Sequence, residues 1–221
     1  MDGVFSNPQW YNLGDSSIRS NVLICDAPDD VLHLNKELKK LIDSDIETGG
    51  SKDSINAGLT GFTGWKFFNE TTDHLMSWVG HVIQNHYLNP EMCKFLPVMT
   101  QVWGMKYEKN DVSPAHNHFP SIVSWTYYPY IEDSEKVQPL ELCSYPSGEI
   151  EIDMSMCAEH VQDKGEQWGE PILSIPPHTG QLVVFPAYAY HQVKPVLETY
   201  GRYCVAGNVA HDFDASTMIN V

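Results

Sequence analysis

The sequence has few of the features that would place this protein in a membrane or on nucleic acid. No apolar run approaches the roughly 18 residues that a transmembrane helix needs, and Met1 leads into a polar stretch that does not resemble a signal peptide. Basic residues are scarce, since 13 Lys and Arg stand against 29 Asp and Glu, a net charge of −16. Because that charge repels phosphate groups, we expect neither a nucleic-acid partner nor a membrane partner.

The chain also has no Cys-x-x-Cys pair, no internal repeat and no low-complexity tract. Its cysteines are odd in number, which argues against a disulfide scaffold and predicts free thiols in a reducing compartment. We therefore expect a cytoplasmic location, or the host cytoplasm if a phage encodes the protein. The cysteines are Cys25, Cys93, Cys143, Cys157 and Cys204.

What the chain does contain is a pair of predicted helices followed by short strands. Apolar residues at helical spacing predict one helix after Pro28 and a second from Thr72 to about Leu88, with a long loop over residues 44 to 64 between them. Strands are predicted near residues 97–107, 121–130, 139–145, 171–175, 181–186 and 201–210. At 221 residues, this order predicts one α+β, mainly β domain, in which helices pack on one sheet of a barrel or sandwich.

Three histidines form the most informative pattern. On a β-strand, residues i and i+2 face the same side, so His116-Asn117-His118 would present two imidazoles together. His191 follows an apolar strand that Pro186 ends, and we expect it in the loop beyond that strand. A third imidazole from there could complete three ligands on one side of a metal and leave open positions opposite, as in iron and zinc enzymes.

An arginine at the start of another apolar strand suggests a bound anion. Arg202 opens the segment Arg202–Asn208, which is otherwise apolar over most of its length. Burial of a guanidinium without a partner is very unfavourable, and its planar fork suits a carboxylate held through two hydrogen bonds.

These segments resemble the iron(II)/2-oxoglutarate-dependent oxygenases, and in particular a 2OG-Fe(II) oxygenase family common in marine bacteria and their phages. The resemblance lies in the His116-Asn117-His118 start, the strand through Tyr127-Tyr128, the Gly180–Pro186 segment, the distal His191 and the Arg202 strand. It covers about residues 98 to 210, with weaker similarity near Gly64-Trp65.

The resemblance implies a double-stranded β-helix, or jelly roll, as a single domain over residues 1–221. Residues 1–96 would form an N-terminal helical support and residues 97–210 the jelly-roll core. It implies Fe(II) held by His116, His118 and His191, and 2-oxoglutarate as co-substrate with its distal carboxylate on Arg202. The further co-substrate contacts that it suggests are Tyr107, Tyr128, Cys204 and Asn208.

Two positions depart from the usual pattern of that superfamily. The second ligand is usually an aspartate, so three neutral imidazoles would leave the Fe(II) site more positive by one charge. Cys204 stands where the family usually has a serine, and a thiol is a much weaker hydrogen-bond donor. We expect a changed metal preference from the first departure and a lower co-substrate affinity from the second.

Two other readings stay open from the sequence alone. One is a cupin-type metalloenzyme that does not use 2-oxoglutarate, although such enzymes usually carry a glutamate a few residues after the histidine pair, where this chain has Ser121, Ile122 and Val123. The other is a non-catalytic jelly-roll binding domain. For an oxygenase, we expect hydroxylation of a small-molecule or peptidyl substrate, read by the loops at Ser44–Gly64, Phe119-Pro120 and Pro146–Glu170. The oligomeric state does not follow from the sequence.

Overall fold

The fold is a mainly β, double-stranded β-helix with helices against one sheet, as predicted. The structure, a computed structural model, describes residues 4–13, 21–48, 61–64, 66–88, 97–143, 169–198 and 200–211. Trp65, residues 49–60 and residues 144–168, which include parts of two predicted substrate loops, lie outside the described residues. In the described part, no helix is long and apolar enough to cross a membrane.

Three α-helices lie in the part of the chain that the structure describes. They are α1 Asp29–Leu32, α2 Asn35–Glu47 and α3 Glu70–Val82, and a π-helical turn, Ile83–Tyr87, extends α3. Asn69 caps α3, because its side chain accepts a hydrogen bond from the Thr72 N–H while the Thr72 hydroxyl accepts one from the Asn69 N–H. Part of the predicted loop over residues 44 to 64 is therefore wrong, since α2 continues to Glu47.

Eleven strands form the β structure of the described residues. They are β1 Ser6–Asn12, β2 Asn21–Asp26, β3 Gly61–Phe62, β4 Pro97–Tyr107, β5 Ser113–His116, β6 Val123–Ile131, β7 Leu140–Cys143, β8 Pro171–Ile175, β9 Gln181–Pro186, β10 Tyr190–Val193 and β11 Arg202–His211. The major sheet has the order β1-β2-β9-β6-β11-β4-β3, and the minor sheet has the order β5-β10-β7-β8. All pairings between these strands are antiparallel.

Two apolar layers hold this arrangement together. One lies between the helices and the outer face of the major sheet, where Leu38 and Val79 pack with Val205. The other lies between the two sheets, where Leu142 of the minor sheet packs with Tyr128 and Phe185 of the major sheet. Strands such as β9 are buried at every residue because apolar side chains face both layers.

The N-terminal region contributes more than helices. Strands β1 and β2 pair with each other, and β2 pairs with β9, so this region extends the major sheet. No strand is predicted from the sequence before residue 97. β1 is exposed along its whole length at the sheet edge, and it therefore lacks the apolar alternation that identifies a strand.

Candidate active site

The three predicted histidines converge in a cavity between the two sheets. The ring centroids of His116 and His191 are 4.2 Å apart, and each of these rings is 5.0 Å from the ring of His118. One ligand atom from each residue lies within 4.8 Å of the others. The three side chains can therefore hold one metal ion after a small contraction, because zinc and similar ions bind imidazole nitrogen at about 2.0–2.1 Å.

The secondary structure around the histidines differs from the prediction in two ways. His118 is not on a strand, because β5 ends at His116. Instead the His118 backbone N–H donates to the carbonyl of Ala187, at 2.8 Å, in the turn after β9. His191 is not in a loop but on β10, directly opposite His116 in the pairing with β5. The rings of His116 and His191 meet because β5 pairs with β10. The ring of His118 joins them because the hydrogen bond to Ala187 ties its loop to the turn after β9. The rings do not meet because residues i and i+2 share one face of a strand.

Backbone carbonyls orient two of the imidazoles. His116 Nδ1 lies 2.7 Å from the Pro114 carbonyl oxygen, and His191 Nδ1 lies 3.1 Å from that of Ala189. A carbonyl only accepts, so Nδ1 must be the protonated nitrogen in each ring. The Nε2 lone pair is then available for a metal, which is the usual way in which a second partner fixes a ligating histidine.

Burial keeps the histidines neutral. Desolvation lowers the pKa of His116, and it lowers the pKa values of His118 and His191 well below the usual range, where repulsion between the imidazoles acts in the same direction. Neutral imidazoles are the form that binds metal.

Arg202 lines the same cavity, and none of the described carboxylates forms an ion pair with its guanidinium. Its side chain is 2% exposed, and its Nε and Nη1 atoms have no hydrogen-bond partner. The guanidinium carbon lies 4.1 Å from the ring centroid of Tyr107 and 5.5 Å from that of Tyr128. Two aromatic faces position the cation, but they do not satisfy its N–H groups, and a bound anion would.

Three of the other predicted co-substrate residues lie in the same cavity as this guanidinium. Tyr107, Tyr128 and Cys204 line the cavity with Arg202. Burial raises the pKa of Tyr107 to about 12 and also raises the pKa of Cys204, so the phenol and the thiol remain protonated donors at neutral pH. Cys204 is 1% exposed, and it faces the cavity as the strand parity from Arg202 requires.

Asn208 has different partners from those that the sequence suggested. Its Oδ1 accepts a hydrogen bond from the Ser124 hydroxyl at 2.9 Å, and its Nδ2 donates to Gln101 Oε1 at 2.9 Å. Both partners lie directly opposite Asn208 on the two neighbouring strands. These contacts form a polar row across β6, β11 and β4. Asn208 is not among the cavity-lining residues, whereas Ser124 is.

Several residues that the sequence did not single out also line the cavity. Trp103 lies with its ring centroid 5.4 Å from that of His118. Phe185 lies edge-on to His191 at 4.9 Å. Thr126, Ser113 and Leu140 also line the cavity. Strand parity could have identified Thr126, which is two residues before Tyr128 on β6.

No other ligand joins the histidine cluster in the described part of the chain. Asp111, the nearest carboxylate in sequence, is 2% exposed and accepts a hydrogen bond from the backbone N–H of Glu108 at 2.8 Å. His178 pairs instead with Asp26, with its Nε2 2.6 Å from Oδ1. Among the residues that the structure describes, the candidate metal centre therefore has three imidazoles and no carboxylate.

A comparison with known families matches the part of the chain that carries this site. Residues 101–208 match the family model described as "Putative 2OG-Fe(II) oxygenase". This range contains all three histidines of the cluster and Arg202. Among curated proteins, no sequence matches the chain.

Solved structures of prolyl hydroxylases have the same fold. A prolyl-4-hydroxylase from Pseudomonas putida is 15% identical with a TM-score of 0.58, and the alignment covers 86% of this chain and 92% of that one. A prolyl hydroxylase from Trichoplax adhaerens, solved with a hypoxia inducible factor peptide fragment, is 17% identical with a TM-score of 0.54, over 81% and 79% of the two chains. AviO1 from Streptomyces viridochromogenes is 10% identical with a TM-score of 0.55, over 86% and 90%.

At these identities the solved structures establish the fold alone. Residues 101–208, just under half of the chain, are similar to a family of 2OG-Fe(II) oxygenases, whose cofactors are iron(II) and 2-oxoglutarate.

Proposed function

We propose that this protein is an Fe(II)- and 2-oxoglutarate-dependent dioxygenase that hydroxylates a protein side chain or a small molecule, with release of succinate and CO2. In this proposal His116, His118 and His191 are the iron ligands, and Arg202 binds the distal carboxylate of 2-oxoglutarate. The observation that carries it is the buried guanidinium with unsatisfied N–H groups in the cavity of the three imidazoles. A metal site alone would not explain why a cationic side chain is buried in this cavity.

The chemistry of the cavity fits both groups. Three neutral imidazoles suit Fe(II) among other divalent ions, and they leave further coordination positions open. The unsatisfied Nε and Nη1 donors of Arg202 leave its guanidinium able to bind a carboxylate. When bound, iron and 2-oxoglutarate supply the oxidation of a C–H bond by O2, with decarboxylation of the 2-oxo acid.

The residues of the chain would orient and enclose the reactants. Pro114 and Ala189 carbonyls hold two imidazoles in the ligating tautomer. Tyr107 and Tyr128 confine the guanidinium from two sides, so little conformational entropy remains to be lost when a carboxylate binds. Apolar rings such as Trp103 exclude water near the histidines, which strengthens the electrostatic interactions there.

The substrate part of the proposal rests on charge and on the related folds. A net charge of −16 favours a neutral or cationic substrate over a nucleic acid. The Trichoplax enzyme of the same fold was solved with a peptide fragment, and a peptidyl side chain is accordingly the first class that we propose. A small amine-bearing molecule is the second.

The test is the conversion of 2-oxoglutarate to succinate, stimulated by pooled peptides, free amino acids or oligonucleotides. We expect stimulation by peptides or by amino acids, and its loss in Arg202→Ala. Stimulation by oligonucleotides alone would overturn the substrate class. Unchanged succinate production by Arg202→Ala would overturn the role of Arg202.

A further inference from the structure

The residues that line the histidine cavity carry a single formal charge in the described part of the chain. That charge is the guanidinium of Arg202, and no described aspartate or glutamate lines the cavity. The phenols and the thiol in the lining supply no negative charge either, because burial raises the pKa values of Tyr107, Tyr128 and Cys204. The imidazoles are neutral as metal ligands. The cavity is therefore positively charged before any anion binds.

Iron(II) and 2-oxoglutarate together do not balance this charge. The ion brings two positive charges, and the charge of a bound ion must be included in the account of its site. The co-substrate brings two negative charges, so one positive charge remains, that of Arg202. An aspartate in place of the His118 imidazole would cancel it. Because a charge without a partner is costly where water is excluded, the occupied cavity should attract one more negative group.

We propose that the cavity binds one carboxylate in addition to 2-oxoglutarate, and that this carboxylate belongs to the substrate. The inference rests on the proposed function for the metal and the co-substrate, and it deepens that function by naming a substrate class. The residue on which it depends is His118, since a neutral ligand at this position leaves the positive charge in place.

The further carboxylate has a place that is separate from Arg202. The ring of Trp103 lies next to that of His118, and Trp103 is opposite Ala206, four residues beyond Arg202 on β11. Arg202 and the histidines therefore lie at different levels along the cavity, and 2-oxoglutarate would occupy the space between them. The lining continues past the histidines to Ser124, which is opposite a position two residues further along β11. A substrate group would enter at this level.

The charge of the cavity and the charge of the whole chain act on different parts of a substrate. The net charge of −16 acts on a molecule as it approaches and disfavours one that is negative overall. The cavity acts only on the group that enters it. A zwitterionic amino acid meets both conditions, because it carries a carboxylate and is neutral overall. The small amine-bearing molecule is therefore the favoured one of the two proposed substrate classes.

The test compares acetate with acetamide, a neutral molecule of nearly the same shape. Each is titrated into anaerobic protein that is loaded with Fe(II) and saturated with 2-oxoglutarate, and visible absorption follows binding. We expect acetate to bind at least about tenfold more tightly than acetamide, as close charge pairs at desolvated sites do. A chloride titration is the arm for free inorganic anions, and we expect chloride to bind more weakly than acetate.

Two variants test the origin of the preference for acetate. His118→Asp adds a carboxylate to the metal site and should abolish the preference while the 2-oxoglutarate absorption band remains. Lys106→Met changes the net charge by the same amount outside the cavity, where the Lys106 Nζ lies 2.7 Å from Glu108 Oε1, and should leave the preference unchanged. Thermal unfolding checks that both variants are folded, and the comparison in the wild type stands without either of them.

Four results would overturn the inference. Equal binding of acetate and acetamide by the wild type would mean that the charge is balanced within the protein. Chloride binding as tight as that of acetate would identify a site for inorganic anions and not for a substrate carboxylate. An acetate effect that more 2-oxoglutarate reverses would place acetate at Arg202. An undiminished preference in His118→Asp would remove its stated cause.

The proposed function is judged separately from this inference. The absence of an absorption band when 2-oxoglutarate is added to the Fe(II)-loaded protein would contradict the proposed function. A band that appears normally, in a protein that does not prefer acetate, would contradict only the further carboxylate.

Discussion

Replacing Arg202 by methionine should separate the stability of the protein from its affinity for 2-oxoglutarate. The guanidinium is 2% exposed and two of its nitrogens have no partner. Apolar replacement of buried ionic groups is often neutral or stabilising by about 1–4 kcal/mol. We therefore expect Arg202→Met to unfold at the same temperature as the wild type or at a higher one when 2-oxoglutarate is absent.

The same substitution should greatly weaken co-substrate binding. Truncating one partner of a buried charge pair costs about 2–5 kcal/mol, which is a rise in the dissociation constant of about 30-fold to several thousand-fold. Calorimetric titration of 2-oxoglutarate into the anaerobic Fe(II)-loaded protein measures it. Arg202→Lys should also bind poorly, because a point charge cannot reproduce the planar fork.

A matched control removes a positive charge from the neighbouring strand. Lys106 lies on β4 opposite Tyr203, and its Nζ is 2.7 Å from Glu108 Oε1, outside the cavity. Lys106→Met should leave 2-oxoglutarate affinity unchanged. Wild-type affinity in Arg202→Met, or an affinity loss in Lys106→Met as large as in Arg202→Met, would refute the reasoning.

Four further substitutions test individual side chains. Loss of a residue that only supports a metal ligand typically weakens metal binding about 10- to 100-fold. We expect His118→Ala, which removes a ligand, to weaken metal retention at neutral pH by more than this. Stoichiometric metal in the purified variant would show that His118 is not a ligand. Cys204→Ser should lower the apparent 2-oxoglutarate constant by about two- to tenfold, because a hydroxyl donates better than a thiol; an unchanged constant would remove Cys204 from the contact. Asn208→Ala leaves two hydrogen-bonding partners unsatisfied and should reduce the free energy of unfolding by about 1–3 kcal/mol in denaturant titrations; a raised 2-oxoglutarate constant without this loss would favour the co-substrate role instead. Gly207→Ala would place a Cβ 2.6 Å from Trp125 Cζ2 and should cost about 1–3 kcal/mol by overpacking; unaltered stability would mean that the ring can move aside.

The parts of the fold that the sequence predicted are those with a strong local signal. The second helix has an apolar stripe and a capping residue, and β9 is a continuous apolar run before a proline, so both were predicted within a few residues. Two of the missed strands, β5 and β10, have weak local signals, whereas β2 was missed although its residues 22–25 form a buried apolar run. β5 and β10 have only four residues each, and their strand conformation depends on partners distant in the chain.

The sequence predicted that the three histidines would converge and singled out Arg202, which lines the same cavity, but it did not predict their geometry. The i, i+2 argument placed His116 and His118 on one strand, whereas the loop after β5 carries His118. That loop is fixed by a hydrogen bond to Ala187, about seventy residues away in sequence, and no local pattern encodes such a contact. The polar row through Asn208 depends in the same way on the register of three strands.

The central claim is that one cavity holds iron through three histidines and 2-oxoglutarate through Arg202. The most direct measurement is an anaerobic titration of 2-oxoglutarate into the Fe(II)-loaded protein, followed by visible absorption. We expect a saturable charge-transfer band in the green region for the wild type, and no band at the same concentrations for Arg202→Met. The absence of this band in the metal-loaded wild type would contradict the account. So would a band in Arg202→Met that saturates at the same 2-oxoglutarate concentration as in the wild type.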